Sequence, residues 1–221
     1  MILNLRLKNK IIYKLLSKFG IFEYPIKNLR YENFMKKYMD KFNLTSCPCG
    51  SKDEICYSFY DRYGQYFPTI LCKICGLLRS MYSLNNLDEK EFYEDYYRDI
   101  LYKKDKIDYK SLEITEENKY KKICEKINKI IDLNGEEVLV IGGGVGGILK
   151  NFKNSKKILT EYDQDCINYA KENFQDIRVI HGSLGEVAKL GIKPKLIIFT
   201  HVIEHWISLN EEFENLKEIC I

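Results

Sequence analysis

Residues 138–147 read VLVIGGGVGG, an apolar run that ends in a glycine-rich loop. The apolar half is typical of a buried strand. Glycines at its end let the main chain turn tightly and leave N–H groups open to a ligand. Gly142, Gly144 and Gly146 fit the spacing GxGxG, and Gly142, Gly144 and Gly147 fit GxGxxG. The loop therefore predicts a nucleotide-type cofactor, and it leaves S-adenosylmethionine and a nicotinamide dinucleotide both open.

Apolar strands and amphipathic helices alternate from this point to the end of the chain. The predicted strands are 137–143, 157–163, 177–182 and 195–201. The predicted helices are 146–153, 164–174 and 209–220. Alternation of this kind predicts an α/β fold with a Rossmann-like parallel sheet that helices cover on both faces.

A carboxylate at the end of the second predicted strand is the expected partner of the glycine loop. Glu161 lies 19 residues after Gly142, where an acid would accept hydrogen bonds from ribose hydroxyls. Both cofactors contain a suitable ribose. Asp163 is the alternative partner if the strand ends two residues later.

The order of the motifs resembles class I S-adenosylmethionine-dependent methyltransferases. The matching segments are VLVIGGGVGG, TEYDQDCINYA, IHGSLGE and LIIFTHVIEHW, and the resemblance covers roughly residues 136–219. HVIEH at 201–205 is the most discriminating of them, because it is similar to the HVLEH segment that follows strand four in that family. Dinucleotide dehydrogenases have no counterpart to it.

The resemblance implies S-adenosylmethionine as the cofactor and suggests which residues bind it. The implied residues are Gly142, Gly144 and Gly146 at the amino-acid portion, Glu161 at the ribose, Ser183 and Leu184 at the adenine, and Thr200 and His201 at the methyl-donating end. Gly143 and Tyr162 belong to the same cofactor-binding set. Two positions depart from the pattern, since many members carry an acid where Val140 and Ser183 stand here.

Two histidines of the HVIEH segment are the candidate general bases. His201 and His205 are four residues apart, so a helical turn would put both on one face. Imidazole titrates near neutrality and suits proton removal. The alternative is that both histidines only cap a helix and shape the pocket. Tyr93, Tyr96 and Tyr97 are predicted to form a lid over the cofactor or to pack in the core.

Two cysteine pairs predict a structural metal site. CPCG begins at Cys47 and CKICG begins at Cys72, and each pair is followed by glycine as in zinc knuckles. Four thiolates suit tetrahedral Zn²⁺, and so short a segment lacks the core to fold unaided. The predicted ligands are Cys47, Cys49, Cys72 and Cys75, with Cys56 as an alternative member of the first pair. Reduced free thiols and redox chemistry are the competing interpretations.

The order of segments carries a second resemblance. A module with two cysteine pairs, a tyrosine-rich segment at 91–99, helices and then the glycine loop is the layout of a methyltransferase group associated with sugar C-methylation and glycan assembly. It implies a small-molecule acceptor such as a sugar or nucleotide sugar. Nucleic acid is not an expected partner, because residues 46–82 hold few basic side chains, namely Lys52, Arg62, Lys73 and Arg79.

We expect four regions along the chain. They are an N-terminal helical region at 1–45, a zinc-binding module at 46–85, a helical linker or lid at 86–135 and a cofactor-binding domain at 136–221. Amphipathic helices are predicted at 2–22 and 28–42, and strand-like segments at 55–60 and 66–72. Thr115 and Gly135 are the predicted ends of a further helix.

Composition limits the remaining possibilities. Of 221 residues, 35 are Lys or Arg and 32 are Asp or Glu, a net charge of +3 that excludes a histone-like polycation. No apolar run approaches the roughly 18 residues of a membrane-spanning helix, and no secretory signal is visible, so we expect a cytoplasmic location. The resemblance implies three further strands after residue 221. A truncated product, or a second copy or other partner that completes the sheet, is therefore expected. An NAD-dependent enzyme and a non-catalytic scaffold are the alternatives to a methyltransferase.

Overall fold

The computed structural model describes residues 29–61, 66–85, 88, 91–96, 107–206 and 208–220. They belong to two units, Met1–Asn85 and Asn86–Ile221. The amphipathic helix predicted at 2–22 and the lid residue Tyr97 lie outside the described residues. Within the described part of the chain, no helix has the length and apolar character needed to cross a membrane.

The described part of the first unit contains one helix and two short antiparallel sheets. Its elements are α1 (Leu29–Tyr38), β1 (Asn43–Leu44), β2 (Glu54–Tyr60), β3 (Tyr66–Cys72), β4 (Leu78–Ser80) and β5 (Tyr82–Ser83). β2, β3 and β4 form one antiparallel sheet, and β1 pairs with β5. The strand segments predicted at 55–60 and 66–72 are confirmed. The helix predicted at 28–42 ends earlier, since a 3₁₀ turn at Met39–Lys41 follows α1.

The second unit alternates helices and strands, but the helix predicted at 146–153 is a 3₁₀ turn at Gly147–Asn151, and the helix at Leu184–Lys189 was not predicted. Its main elements are α2 (Tyr109–Ile130), β6 (Glu137–Ile141), β7 (Lys156–Glu161), α3 (Gln164–Asn173), β8 (Ile177–His181), α4 (Leu184–Lys189), β9 (Leu196–Phe199) and α5 (Leu209–Ile219). A π turn at Phe92–Tyr96 precedes them, and 3₁₀ turns occur at Gly147–Asn151 and Ile203–His205.

The parallel sheet has the strand order β8-β7-β6-β9. The chain moves outward from β6 through β7 to β8 and then returns to the other side of β6 for β9. The strand order therefore reverses at β6, with β7 on one side of it and β9 on the other. In open α/β sheets such a reversal creates the crevice that binds ligands. The predicted α/β fold with a Rossmann-like parallel sheet of four strands is confirmed.

Both faces of this sheet are covered, which is why the central strand β6 is apolar and buried from Val138 to Ile141. Val138 and Val140 pack on one face in a cluster with Cys124 of α2. Leu139 and Ile141, the alternate residues of β6, pack on the other face in a cluster that reaches α4 and α5. Side chains of successive strand residues point to opposite faces, so a strand buried on both sides shows no polar alternation.

The predicted ends of α2 are wrong. The helix begins at Tyr109, because the Asp108 side chain accepts a hydrogen bond from the Ser111 amide at 3.0 Å and caps the first turn. Thr115 lies inside the helix, where its hydroxyl donates to the Ser111 carbonyl at 2.8 Å. Gly135 lies in the turn before β6, since the helix has already ended at Ile130.

A buried carboxylate ties α2 to its neighbours. Glu113 is 1% exposed. Its Oε1 accepts hydrogen bonds from Lys110 at 2.8 Å and Lys150 at 2.9 Å. Its Oε2 accepts one from the Tyr169 hydroxyl of α3 at 2.6 Å. Burial alone would raise the pKa of Glu113, but these hydrogen bonds outweigh it and lower the pKa to about 2.

We expect Glu113→Gln to lower the free energy of unfolding by about 1–3 kcal/mol at neutral pH, because a buried charge-assisted network loses its acceptor. The pKa of Glu113 falls from its ordinary value of 4.5 to about 2 in the folded state. Its contribution to stability is therefore complete above pH 4.5 and is lost as the pH falls toward 2.

Urea unfolding between about pH 7 and about pH 3 measures this effect, with Glu125→Gln on the exposed side of α2 as the control. The difference between wild type and Glu113→Gln should shrink as the pH falls, and the control should match wild type throughout. A difference that does not change with pH would contradict the assignment.

Candidate functional site

The glycine loop lies at the carboxyl end of β6, in the crevice where the strand order reverses. Gly142 and Gly144 have φ of 57°, and Gly146 has φ of 85°, a left-handed backbone that favours glycine. A side-chain carbon at Gly142 would lie 2.9 Å from Cγ2 of Val202. The loops that follow β6 and β9 are therefore in contact, and together they form the floor of the crevice.

Glu161 joins the glycine loop to the end of β7. Its Oε2 accepts a hydrogen bond from the Gly144 main-chain N–H at 2.8 Å. Its Oε1 accepts two more, from the Tyr162 amide at 2.9 Å and the Asp163 amide at 3.1 Å. A carboxylate offers about four acceptor positions, so one position on Oε2 is left for a ligand hydroxyl. The predicted acid and the predicted loop thus meet directly.

Thr160 supports the loop from below, and sequence reasoning missed it. Its hydroxyl oxygen accepts a hydrogen bond from the Gly142 N–H at 3.2 Å, and its carbonyl accepts one from the Gly143 N–H at 3.2 Å. Thr160 is completely buried. The available signal was a hydroxyl residue near the end of an otherwise apolar strand, directly before the predicted acid.

Asp163, the alternative ribose partner, occupies a different position. It caps α3, because its Oδ1 accepts a hydrogen bond from the Cys166 amide at 2.9 Å. The residue is 2% exposed. Asp163 therefore acts as a helix cap, and Glu161 is the carboxylate that contacts the glycine loop.

The two residues predicted at the adenine lie at the start of α4. The Ser183 amide donates to Oε2 of Glu186 at 2.9 Å, and its hydroxyl contacts the same oxygen at 3.3 Å. This capping-box arrangement fixes the first turn of the helix. The Leu184 side chain is completely buried in the core beside the sheet. The residue as a whole is buried, so Leu184 presents no surface to a ligand in this structure.

The segment after β9 carries the two candidate bases in separate environments. Thr200 follows the strand and is half-buried. His201 has φ of 57°, outside helical geometry, and the 3₁₀ turn spans only Ile203–His205. The prediction that His201 and His205 share a helical face is therefore wrong. A left-handed residue breaks the helical path between them.

Polar side chains contact both ring nitrogens of His201. Its Nδ1 lies 3.4 Å from Oε1 of Glu204. Its Nε2 lies 3.3 Å from Nζ of Lys119, which belongs to α2. The imidazole side chain is 71% exposed. Lys119 was not predicted, because no local pattern marks one exposed lysine among the many on this helix.

Aromatic rings form a row next to Glu161. The Tyr93 ring is nearly parallel to that of Tyr162, with centroids 6.3 Å apart. His205 meets the other side of Tyr93 edge-on at 5.8 Å, and His181 meets Tyr162 edge-on at 6.5 Å. The structure thus brings the predicted residues Tyr93, Tyr162 and His205 together. Tyr96 belongs to the same π turn as Tyr93.

Four thiols converge in the first unit. Cys47 Sγ lies 3.3 Å from that of Cys49 and 3.4 Å from that of Cys75, and the sulfurs of Cys49 and Cys72 are 3.7 Å apart. All four sulfurs lie within 4.8 Å of one another. A tetrahedral zinc ion with Zn–S bonds of ~2.3 Å requires separations of ~3.8 Å. The cluster therefore fits Zn²⁺. Cys56 lies on β2 with its sulfur 3.3 Å from the Ser58 carbonyl, away from the four.

Glycines close the two turns that hold these thiols. Gly50 and Gly76 have φ of 78° and 76°. Their amides donate to the carbonyls of Cys47 and Cys72, each at 2.9 Å. The left-handed glycine after each pair is the knuckle geometry that the sequence predicts.

Main-chain amides and neighbouring thiols set the ionisation of the cluster. Amides of Cys75 and Ile74 donate to the Cys72 sulfur, outweigh its burial and lower the pKa of Cys72 to about 6. The Cys49 amide lowers the pKa of Cys47, but burial and the adjacent thiols outweigh it and raise that pKa to about 12. Ionising four neighbouring thiols together is unfavourable, because the thiolate charges repel one another. A bound divalent cation offsets this repulsion.

Comparisons with known proteins add no family assignment. No protein-family model matches the chain, and no curated protein matches it. One solved structure, a "putative s-adenosyl-l-methionine-dependent methyltransferase" from Methanococcus maripaludis, is 17% identical with a TM-score of 0.42, over 50% of this chain and 57% of that chain. A second, the "putative RNA methyltransferase PH1948" from Pyrococcus horikoshii, is 17% identical with a TM-score of 0.38, over 47% of this chain and 56% of that chain. The chain spans little more than half of either structure.

We expect the purified chain to carry one zinc ion and Cys72→Ser to lose it, since three thiolates bind zinc far more weakly than four. Elemental analysis after gel filtration measures the metal, and circular dichroism follows the accompanying loss of structure. Cys56→Ser is the matched control and should retain both. Equal metal loss in the two variants would contradict the assignment of the ligands.

Proposed function

We propose that this chain is an S-adenosylmethionine-dependent methyltransferase that acts on a small-molecule acceptor, with a structural zinc ion in its first unit. The observation that carries the proposal is the hydrogen bond from the Gly144 N–H to the Glu161 carboxylate at 2.8 Å. It places a left-handed main-chain turn and an acid side by side at the reversal point of a parallel sheet, where nucleotide cofactors bind.

Each part of the cofactor has candidate partners on this chain. The turn at Gly142–Gly146 suits the amino-acid portion, since its glycines place no side chain between the main chain and a ligand. The N–H groups of Gly142 and Gly144 already donate to Thr160 and Glu161 and hold the turn in shape. The remaining acceptor position on Oε2 of Glu161 suits one ribose hydroxyl. The Tyr162 ring, beside Glu161 in the aromatic row, suits the apolar face of the adenine. These assignments extend the predicted cofactor site to named atoms.

S-adenosylmethionine supplies an activated methyl group when bound. The protein then needs to align the acceptor and remove its proton where the acceptor is a hydroxyl or an acidic carbon. His201 and His205 are the proposed bases at the methyl-donating end, with Thr200 beside them. His201 already contacts Lys119 and Glu204, and His205 packs against Tyr93.

The proposed zinc ion has a structural role. Four cysteine ligands would leave no open coordination position, so the ion would stabilise the turns at Cys47 and Cys72 and would not activate water. The small sheets of the first unit provide little core of their own, which favours a metal contribution to folding.

A sugar or nucleotide sugar is the proposed acceptor. The support is the resemblance in layout, with cysteine pairs, the tyrosine-rich segment at 91–99 and the glycine loop in that order. We further propose that a second copy or another chain extends the sheet at β9, which pairs only with β6 among the described residues. An exposed strand edge favours such pairing.

We expect S-adenosylhomocysteine to bind the full chain in calorimetric titration and NAD to show no binding. Glu161→Gln should weaken the binding of S-adenosylhomocysteine by about tenfold or more, because the ribose loses a charged hydrogen-bond acceptor and the Gly144 N–H loses its carboxylate partner. The matched control is Glu172→Gln, an exposed acid on α3, which should bind like wild type.

Thermal unfolding of both variants separates loss of binding from loss of fold. Binding of NAD in place of S-adenosylhomocysteine would replace the proposal with the oxidoreductase alternative. Binding of neither, by a folded chain with zinc in place, would favour a non-catalytic scaffold.

A further inference from the structure

The contact between Lys119 and His201 joins residues that are 82 positions apart in the sequence. Lys119 extends from α2, and His201 lies in the loop that follows β9. Lysine is an ammonium ion at neutral pH and can only donate. Nε2 of His201 must therefore be the acceptor in this pair, and its lone pair points at a cation.

This arrangement defines where the imidazole proton lies. Since Nε2 accepts from Lys119, the proton of a neutral ring is on Nδ1, whose nitrogen lies 3.4 Å from Oε1 of Glu204. The carboxylate of Glu204 favours a proton on Nδ1, and the ammonium group of Lys119 favours a lone pair on Nε2. While Lys119 donates to Nε2, this nitrogen cannot take a proton from the methyl acceptor.

The backbone of His201 adopts an unusual conformation at this position. Among the described residues His201 is the single non-glycine residue with positive φ. A left-handed conformation costs such a residue roughly 1–2 kcal/mol, and it persists where the surroundings over-determine it. The strain falls at the crevice next to Val202, which contacts the glycine loop.

We propose that the ammonium group of Lys119 is a removable cap on Nε2 of His201. A phosphate or carboxylate group on the methyl acceptor removes this cap by binding the ammonium group. The release step rests on the methyltransferase proposal, and the cap itself does not. All three side chains are reachable from solvent, and an anion satisfies Lys119 better than a neutral imidazole does. The site therefore selects an anionic acceptor, because only such a molecule frees the base while it binds.

Nuclear magnetic resonance of the full chain with ¹⁵N-labelled histidine tests the cap. The chain has three histidines, so His201→Gln assigns the signals. At a pH where imidazole is neutral, we expect His201 of the wild type to carry its proton on Nδ1. Lys119→Met should move the proton toward Nε2, the site that a neutral imidazole favours in water. Lys126→Met, an exposed lysine two turns further along α2, is the control and should match wild type.

Inorganic pyrophosphate, at constant ionic strength, tests the release. It should shift the His201 signals of the wild type toward those of Lys119→Met. Lys119→Met should bind pyrophosphate at least about fivefold more weakly than Lys126→Met. The proposal is overturned if the wild-type proton lies on Nε2, if Lys119→Met leaves the tautomer unchanged, or if both variants respond alike to pyrophosphate. Titration with S-adenosylhomocysteine is a separate measurement, so failure of the cap and failure of the methyltransferase proposal give different results.

Discussion

The hydrogen bond between the Gly144 N–H and the Glu161 carboxylate is the constraint on which the crevice depends. It joins the loop after β6 to the end of β7 at 2.8 Å. A charged acceptor makes it stronger than an ordinary main-chain hydrogen bond. The N–H points at the acid only because Gly142 and Gly144 both take left-handed φ. The glycines and the acid therefore depend on each other. The buried Thr160 holds the same loop through its hydrogen bonds with the N–H groups of Gly142 and Gly143.

Local sequence patterns predicted the features that local physics specifies. Strands β6 and β7, the glycine turn and Glu161 all lie within 25 residues of sequence, so their relative spacing could be read directly. Each cysteine pair is followed directly by its turn glycine, so the thiol cluster could also be predicted from local sequence. The start of α2 was mispredicted, because Asp108 and Thr115 are both residue types that cap helices and apolar spacing does not choose between them.

Contacts between distant segments were beyond prediction from one sequence. Lys119 is one of 35 basic residues, and nothing in its neighbourhood marks it as the partner of His201. The left-handed conformation of His201 was also unpredictable, since histidine in a short motif of helical spacing is expected to continue a helix. The contact forms only where the folded chain brings α2 to the loop after β9. The functional interpretation of HVIEH thus depends on a residue from another part of the chain.

Gly147 has a different task from the turn glycines before it. A side-chain carbon there would lie 2.3 Å from the main-chain carbonyl oxygen of Glu113. Any other residue at 147 would therefore push α2 outward. Lys119 lies six residues further along that helix, about 9 Å away at 1.5 Å per residue, so the displacement would carry its ammonium group away from the imidazole. The absence of a side chain at Gly147 thus keeps α2 close enough for Lys119 to reach His201.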